Sequence, residues 1–122
     1  MHVVVFDDVL FVRQDDFSEI ECQLSFFAHA DEAVEVVRSR RPDLVLMDYS
    51  MDTHRTGEEA VVALRDHFPR GALRIVGISS DVLSNERLVA AGADDAIPKS
   101  HLRGYLRALL GAGVAQADRR GR

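Results

Sequence analysis

Three short, mostly apolar runs punctuate the chain, and each stops on polar residues. His2 to Phe6 ends in Asp7 and Asp8, Asp43 to Met47 ends in Asp48, and Arg74 to Ile78 ends in Ser79, Ser80 and Asp81. The runs are too short for helices and rich in β-branched residues, which predicts strands. Continuous apolar strands of this kind belong to parallel sheets covered on both faces. Shorter strands are predicted over Leu24 to Ala28 and Asp95 to Ile97.

The segments between them carry helical spacing. Asp31 is positioned to cap a helix with Ala33, Val34 and Val37 on one face, ending at Arg41-Pro42. Glu58 to Phe68 places Val61, Leu64 and Phe68 on one side, and Asn85 to Ala91 is followed by Gly92, a natural C-terminal cap. Ser100 is positioned to cap a last helix with Leu102, Tyr105, Leu106 and Leu109 inward, closed by Gly111 and Gly113. Val9 to Ala30 must hold a first helix and a strand, so that helix is short. Strands alternating with helices predict a doubly wound α/β sheet. The expected organisation is one domain over residues 1–110 and a flexible, basic tail over 111–122.

Composition narrows the class. A chain of 122 residues that is 47% hydrophobic can bury a core without disulfides, and its one cysteine, Cys22, permits none internally. That fits the cytoplasm. No apolar run reaches membrane-spanning length, and Met1 to Asp7 lacks the basic flank of a signal peptide. The net charge of −5 repels phosphate backbones, so no nucleic-acid partner is expected.

In an open α/β sheet, ligands sit at the carboxyl ends of the strands. Those ends carry Asp7, Asp8, Asp48, Ser79 and Lys99. Taken singly, an Asp-Asp pair reads as a turn or helix cap, and a lysine near a helix start as a solvated residue. Five such residues at successive strand ends point instead to shared chemistry. Three neighbouring carboxylates repel one another, and Mg²⁺ relieves that cost with a donor set of carboxylates, water and phosphate oxygens. The reading is phosphoryl transfer to a carboxylate, with Asp48 as nucleophile. Asp8 and Asp7 hold the metal with Asp48, Asp7 directly or through water, and the Ser50 backbone carbonyl adds an oxygen. Lys99 neutralises one phosphoryl oxygen and the Ser79 hydroxyl donates to another.

The set Val3-Val4-Val5-Phe6-Asp7-Asp8, Arg41-Pro42-Asp43-Leu44-Val45-Leu46-Met47-Asp48, Met51, Gly57, Ile78-Ser79-Ser80, Ala90-Ala91-Gly92-Ala93-Asp94 and Ile97-Pro98-Lys99-Ser100 resembles the receiver domain of two-component response regulators over about residues 2 to 110. The resemblance implies a flavodoxin/CheY-like five-stranded parallel sheet of order 2-1-3-4-5, a Mg²⁺ ion, a histidine kinase or histidine phosphotransferase as donor, and a phosphorylation-driven switch. The sequence departs from the family pattern at several points. Asp52 stands where proline is usual, in a loop about one residue longer. Ala96 replaces the switch aromatic. Pro98 precedes Lys99 where proline usually follows it. The span from Asp8 to Asp48 is a few residues short, which trims the first helix or the loop after it.

Other motifs carry less. Asp52-Thr53-His54-Arg55-Thr56-Gly57 fits a D-x-H-x-x-G pattern of cobalamin-binding domains but follows the wrong strand, so His54 reads as an exposed loop residue. The histidines at 2, 29, 54, 67 and 101 show no metal-ligand spacing. Asp48-Tyr49-Ser50 resembles the opening of haloacid-dehalogenase-type phosphatases, but Ser50 cannot serve as their second acid. Cys22 reads as packing. The expectation is a stand-alone receiver, a signalling module rather than an enzyme, whose output is binding to a downstream protein. The alternative is a pseudo-receiver that binds partners without phosphorylation. A homodimer is a further expectation, through Asp94, Asp95, Arg103 and Arg107.

Overall fold

The computed structural model describes the backbone of residues 1–120 and the side chains of residues 1–111. Five strands, β1 (His2–Phe6), β2 (Gln23–Phe27), β3 (Leu44–Met47), β4 (Arg74–Gly77) and β5 (Asp95–Ala96), form one parallel sheet in the order β2-β1-β3-β4-β5. The helices are α1 (Asp8–Val12), α2 (Ala33–Arg40), α3 (Gly57–His67), α4 (Val82–Ala91) and α5 (Leu102–Arg120). Short 3₁₀ turns follow α1 (Gln14–Phe17) and precede α5 (Lys99–His101). The doubly wound sheet and its 2-1-3-4-5 order are as expected. Among the described residues, no helix is long and apolar enough to cross a membrane.

The apolar runs are strands because both of their faces are covered. On one face, Val4, Phe6, Val45, Met47 and Ile75 pack against Ala33, Val37, Val61, Leu64 and Leu88. On the other, Val3, Val5, Leu44, Leu46 and Val76 meet Leu10, Leu102 and Leu106. Burying each large side chain contributes about 1.5–3 kcal/mol. Both Phe26 and Phe27 are half-buried, one on each face: Phe26 beside Phe17 and Phe27 beside Phe6, with ring centroids 5.7 and 5.5 Å apart.

Element boundaries differ from the sequence expectation where short side chains had to decide them. β2 begins one residue earlier, at Gln23, because its register is set by pairing His2 opposite Gln23. α4 begins at Val82 rather than Asn85, since the Asp81 carboxylate caps it by accepting from Ser84 N–H at 3.0 Å. Asp31 does not cap α2: its carboxylate is turned to another loop, and Glu32 stands at the cap position without a side-chain bond. Ser100 lies inside a 3₁₀ turn instead of capping α5. α5 passes through Gly111 and Gly113, because glycine costs about 1 kcal/mol in a helix but does not forbid its hydrogen bonds. The expected tail over 111–122 thus includes helical backbone to Arg120, and residues 121–122 lie outside the described residues. α1 is short, five residues, as the cramped stretch before β2 implied.

Candidate functional site

The strand register brings the acidic residues together. Phe6 pairs with Met47, and Asp48 N–H donates to the Phe6 carbonyl at 2.9 Å, so Asp7 and Asp48 follow side by side. Ile78 N–H donates to the Met47 carbonyl at 3.0 Å, and Ile97 N–H to the Gly77 carbonyl at 2.8 Å. These bonds carry Ser79 and Lys99 to the same carboxyl edge. The Lys99 ammonium lies 2.8 Å from Asp7 Oδ2 and 3.4 Å from Asp48 Oδ2. One carboxylate oxygen from each of Asp7, Asp8 and Asp48 falls within 4.8 Å of the others.

Asp7 has two roles. It is fully buried, and its Oδ1 caps α1 by accepting from Val9 N–H at 2.9 Å and Leu10 N–H at 3.0 Å. Asp7 thus caps the helix with one oxygen and belongs to the carboxylate cluster as well. Its Oδ2 faces the Lys99 ammonium at 2.8 Å. That cation offsets the cost of burying the carboxylate.

Electrostatics follow from this crowding. Burial pushes the Asp48 carboxyl up from the ordinary aspartate range, and the Asp7 charge adds to it; Lys99 and the Tyr49 N–H oppose the rise without cancelling it. Burial works against the Lys99 ammonium, but its bonds to Asp7 and Asp48 more than offset that and hold its pKa above the usual lysine value. Three carboxylates against one ammonium leave the edge negative. An oxygen-only donor set of three carboxylates fits a hard divalent cation such as Mg²⁺.

Ser79 is buried, and its hydroxyl oxygen accepts from Asp81 N–H at 3.1 Å, which leaves the O–H proton free to donate. Ser50 is exposed two residues beyond Asp48. Asp52 has a backbone φ of 56°, a left-handed conformation closed to proline. This loop therefore turns differently from one built on proline, and Asp52 is not part of the carboxylate cluster. Ala96 lines an open, mostly apolar groove with Val82, Val89 and Pro98.

Several contributors escaped the sequence reading. Asn85 bridges the Ser79 segment to the end of β5, and Arg87 donates to the Tyr49 hydroxyl at 3.2 Å, tying α4 to the loop after Asp48. Neither forms a recognisable motif, because each acts across loops. Three of the four residues expected at a homodimer face are engaged within the chain: Asp94 with Arg65 and Arg70, Arg103 and Arg107 with Glu19. A dimer through them would have to exchange these partners. Burial pushes the Cys22 thiol up, consistent with packing.

The family model for the response regulator receiver domain matches residues 4–110. Among solved structures, a two-component system response regulator/ggdef domain protein is similar at 23% identity and a TM-score of 0.73, over 97% of this chain and 50% of that one. The chain thus spans about half the length of that relative. A LuxR-family two-component response regulator from Aurantimonas sp. SI85-9A1 is similar at 24% identity and a TM-score of 0.69, over 99% of this chain and 98% of that one. Vibrio cholerae chemotaxis protein CheY4 is similar at 20% identity and a TM-score of 0.64, over 87% and 95% of the two chains. No curated protein matches the sequence. A family match over that span, on a fold those structures share, makes the chain a member of the response regulator receiver domain family of two-component systems.

Proposed function

We propose that Asp48 accepts a phosphoryl group from a histidine kinase or histidine phosphotransferase, and that the domain then signals in the cytoplasm by binding a downstream protein. The observation that carries this reading is the Lys99 ammonium held against both Asp7 and Asp48 at the carboxyl edge of the sheet. An Asp48 carboxylate oxygen attacks the phosphorus of a phosphohistidine. The O–P bond forms as the P–N bond breaks, and the imidazole leaves with the electron pair and takes up a proton. Lys99 supports a phosphoryl oxygen as a point charge, and the Ser79 hydroxyl donates to another. Asp7, Asp8, Asp48 and the Ser50 backbone carbonyl are the residues to hold Mg²⁺. When bound, that ion neutralises charge on the transferring group.

Intact mass after incubation with acetyl phosphate and Mg²⁺ tests the reading. A phosphoryl adduct is expected on the wild type, absent from Asp48→Asn and lost on chelating the metal. No adduct on the folded wild type would overturn it and favour the pseudo-receiver, a reading supported by Ala96 in the switch position and by the five-residue α1.

A further inference from the structure

Beside the acidic cluster, two loops at the carboxyl edge of the sheet bring a second set of metal-ligating side chains together. His29 and Asp31 lie between β2 and α2, and His54 lies between β3 and α3. The two imidazoles stack, with centroids 4.0 Å apart and planes 12° from parallel. Both present Nδ1 to one carboxylate oxygen: Asp31 Oδ2 is 2.7 Å from His54 Nδ1 and 3.8 Å from His29 Nδ1. One ligand atom from each of the three residues lies within 4.8 Å of the others.

We propose that His29, Asp31 and His54 form a binding site for a late first-row divalent cation of the Zn²⁺ type, separate from the carboxylate cluster at Asp48.

The donor chemistry selects the ion. Two imidazoles and one carboxylate suit Zn²⁺, Cu²⁺ or Ni²⁺, whereas Mg²⁺ prefers the all-oxygen set formed by Asp7, Asp8 and Asp48. Ligands about 2.0–2.2 Å from a tetrahedral Zn²⁺ stand roughly 3.3 Å from one another. The observed 2.7 and 3.8 Å straddle that separation, and the rings must swing out of their stacked pose for both Nδ1 lone pairs to face one ion.

A second observation points the same way. The His29 ring is two-fifths exposed, yet its Nδ1 is buried and, among the described residues, has no hydrogen-bond partner. Its 3.8 Å distance to Asp31 is too long for a hydrogen bond, so the contact leaves that nitrogen without compensation. A cation between the three groups supplies it. Asp31 is also oriented from behind, since its Oδ1 accepts from Arg55 N–H at 3.1 Å, the kind of support that ligating carboxylates receive. This use of Asp31 accounts for its absence from the α2 cap. Side-chain exposures of 39–42% give an entry path, and three protein ligands leave a position for water or for a donor from another molecule. Occupancy would join the β2–α2 loop to the loop that follows Asp48.

The test is titration of the 122-residue chain with Zn²⁺ by calorimetry, in excess Mg²⁺ to saturate the carboxylate cluster, alongside imidazole ¹⁵N NMR of the wild type. One equivalent is expected to bind, shifting the Nδ1 resonances of His29 and His54. His29→Gln and His54→Gln should each weaken binding more than about tenfold. Asp8→Asn and the exposed-histidine control His67→Gln should leave it unchanged. Wild type that shows no shift at His29 and His54 overturns the site, as does Zn²⁺ binding that survives both glutamine variants. Neither result bears on phosphorylation of Asp48, which is read separately by mass.

Discussion

Asn85 holds Ser79 by both of its polar atoms: Oδ1 accepts from the Ser79 N–H at 2.8 Å, and Nδ2 donates to the Ser79 carbonyl at 2.9 Å. The same Nδ2 donates to the Ile97 carbonyl at 3.1 Å, two residues before Lys99. One side chain on α4 therefore fixes the Ser79 and Lys99 segments of the proposed phosphoryl site relative to each other. Asn85→Ala leaves three half-buried backbone groups without these partners and should cost about 1–3 kcal/mol in urea unfolding. It should also slow adduct formation in the mass assay. Unchanged stability and rate would mean that Ser79 and Lys99 are positioned without it.

Gly57 faces the main chain of Asp48. Its N–H donates to the Tyr49 carbonyl at 2.7 Å, and a Cβ built on it would stand 1.9 Å from the Asp48 carbonyl oxygen. That clash is with backbone, so the Asp48 loop must move to accept any side chain. Gly57→Ala should cost about 1–3 kcal/mol and reduce phosphorylation of Asp48. Gly104 in α5 is the control, because a Cβ there meets nothing within 4 Å among the described residues. Gly104→Ala should raise stability by about 0.5–1 kcal/mol. Equal effects of the two substitutions would contradict the packing argument.

Acid sensitivity should concentrate at Asp94. Burial raises this carboxyl, but the Ile75 N–H and the Arg65 guanidinium outweigh it and hold the pKa below the ordinary aspartate range. Arg65 is anchored in turn by the carbonyls of Gly92 and Leu73, both at 2.8 Å. A lowered folded-state pKa stabilises the protein above the unfolded value, about 3.9, and that stability is lost as pH falls through the folded value. Asp94→Asn should be about 1 kcal/mol less stable at neutral pH, a modest figure because solvent reaches the pair. The gap should close as pH drops below about 3.9. A gap that stays constant across a pH series of melts would assign the effect to packing rather than charge.

What the sequence disclosed was what a buried parallel strand writes locally. Apolar runs ending at Asp7, Asp48 and Ser79 mark both the sheet and its functional edge, because the residue after a buried strand is the first free to be polar. His29 and His54 left no such mark. They are far apart in the chain, on loops after strands that β1 separates, and they meet only because those loops lean together across it. Asp31 read as a helix cap because its position before Ala33 suits one, and only the fold gives it the competing partners His54 and Arg55. The start of α4 was hidden for a related reason. Val82 and Leu83 are 70% and 66% exposed, so they add nothing to the inward helical stripe that periodicity detects.

Asp48 and Lys99 should respond to removal in opposite directions when no metal is present. Burial first, and then the charge on Asp7, raise the Asp48 carboxyl, so its ionised form works against folding at neutral pH. That penalty disappears as pH falls below the raised folded value, where the group is neutral. Asp48→Asn removes the charge at constant shape and should stabilise the metal-free protein at neutral pH. Lys99→Met does the reverse: it strands the fully buried Asp7 carboxylate beside Asp48 without its ammonium. The loss should be about 2–4 kcal/mol, the range for breaking a partly buried pair. Mg²⁺ should restore more stability to Lys99→Met than to the wild type, because the ion replaces the missing positive charge, and should restore least to Asp48→Asn. Thermal melts with Mg²⁺ and with chelator, run on all three proteins, check this order. Equal Mg²⁺ shifts in the three would mean that the carboxylates at this edge do not bind the ion together.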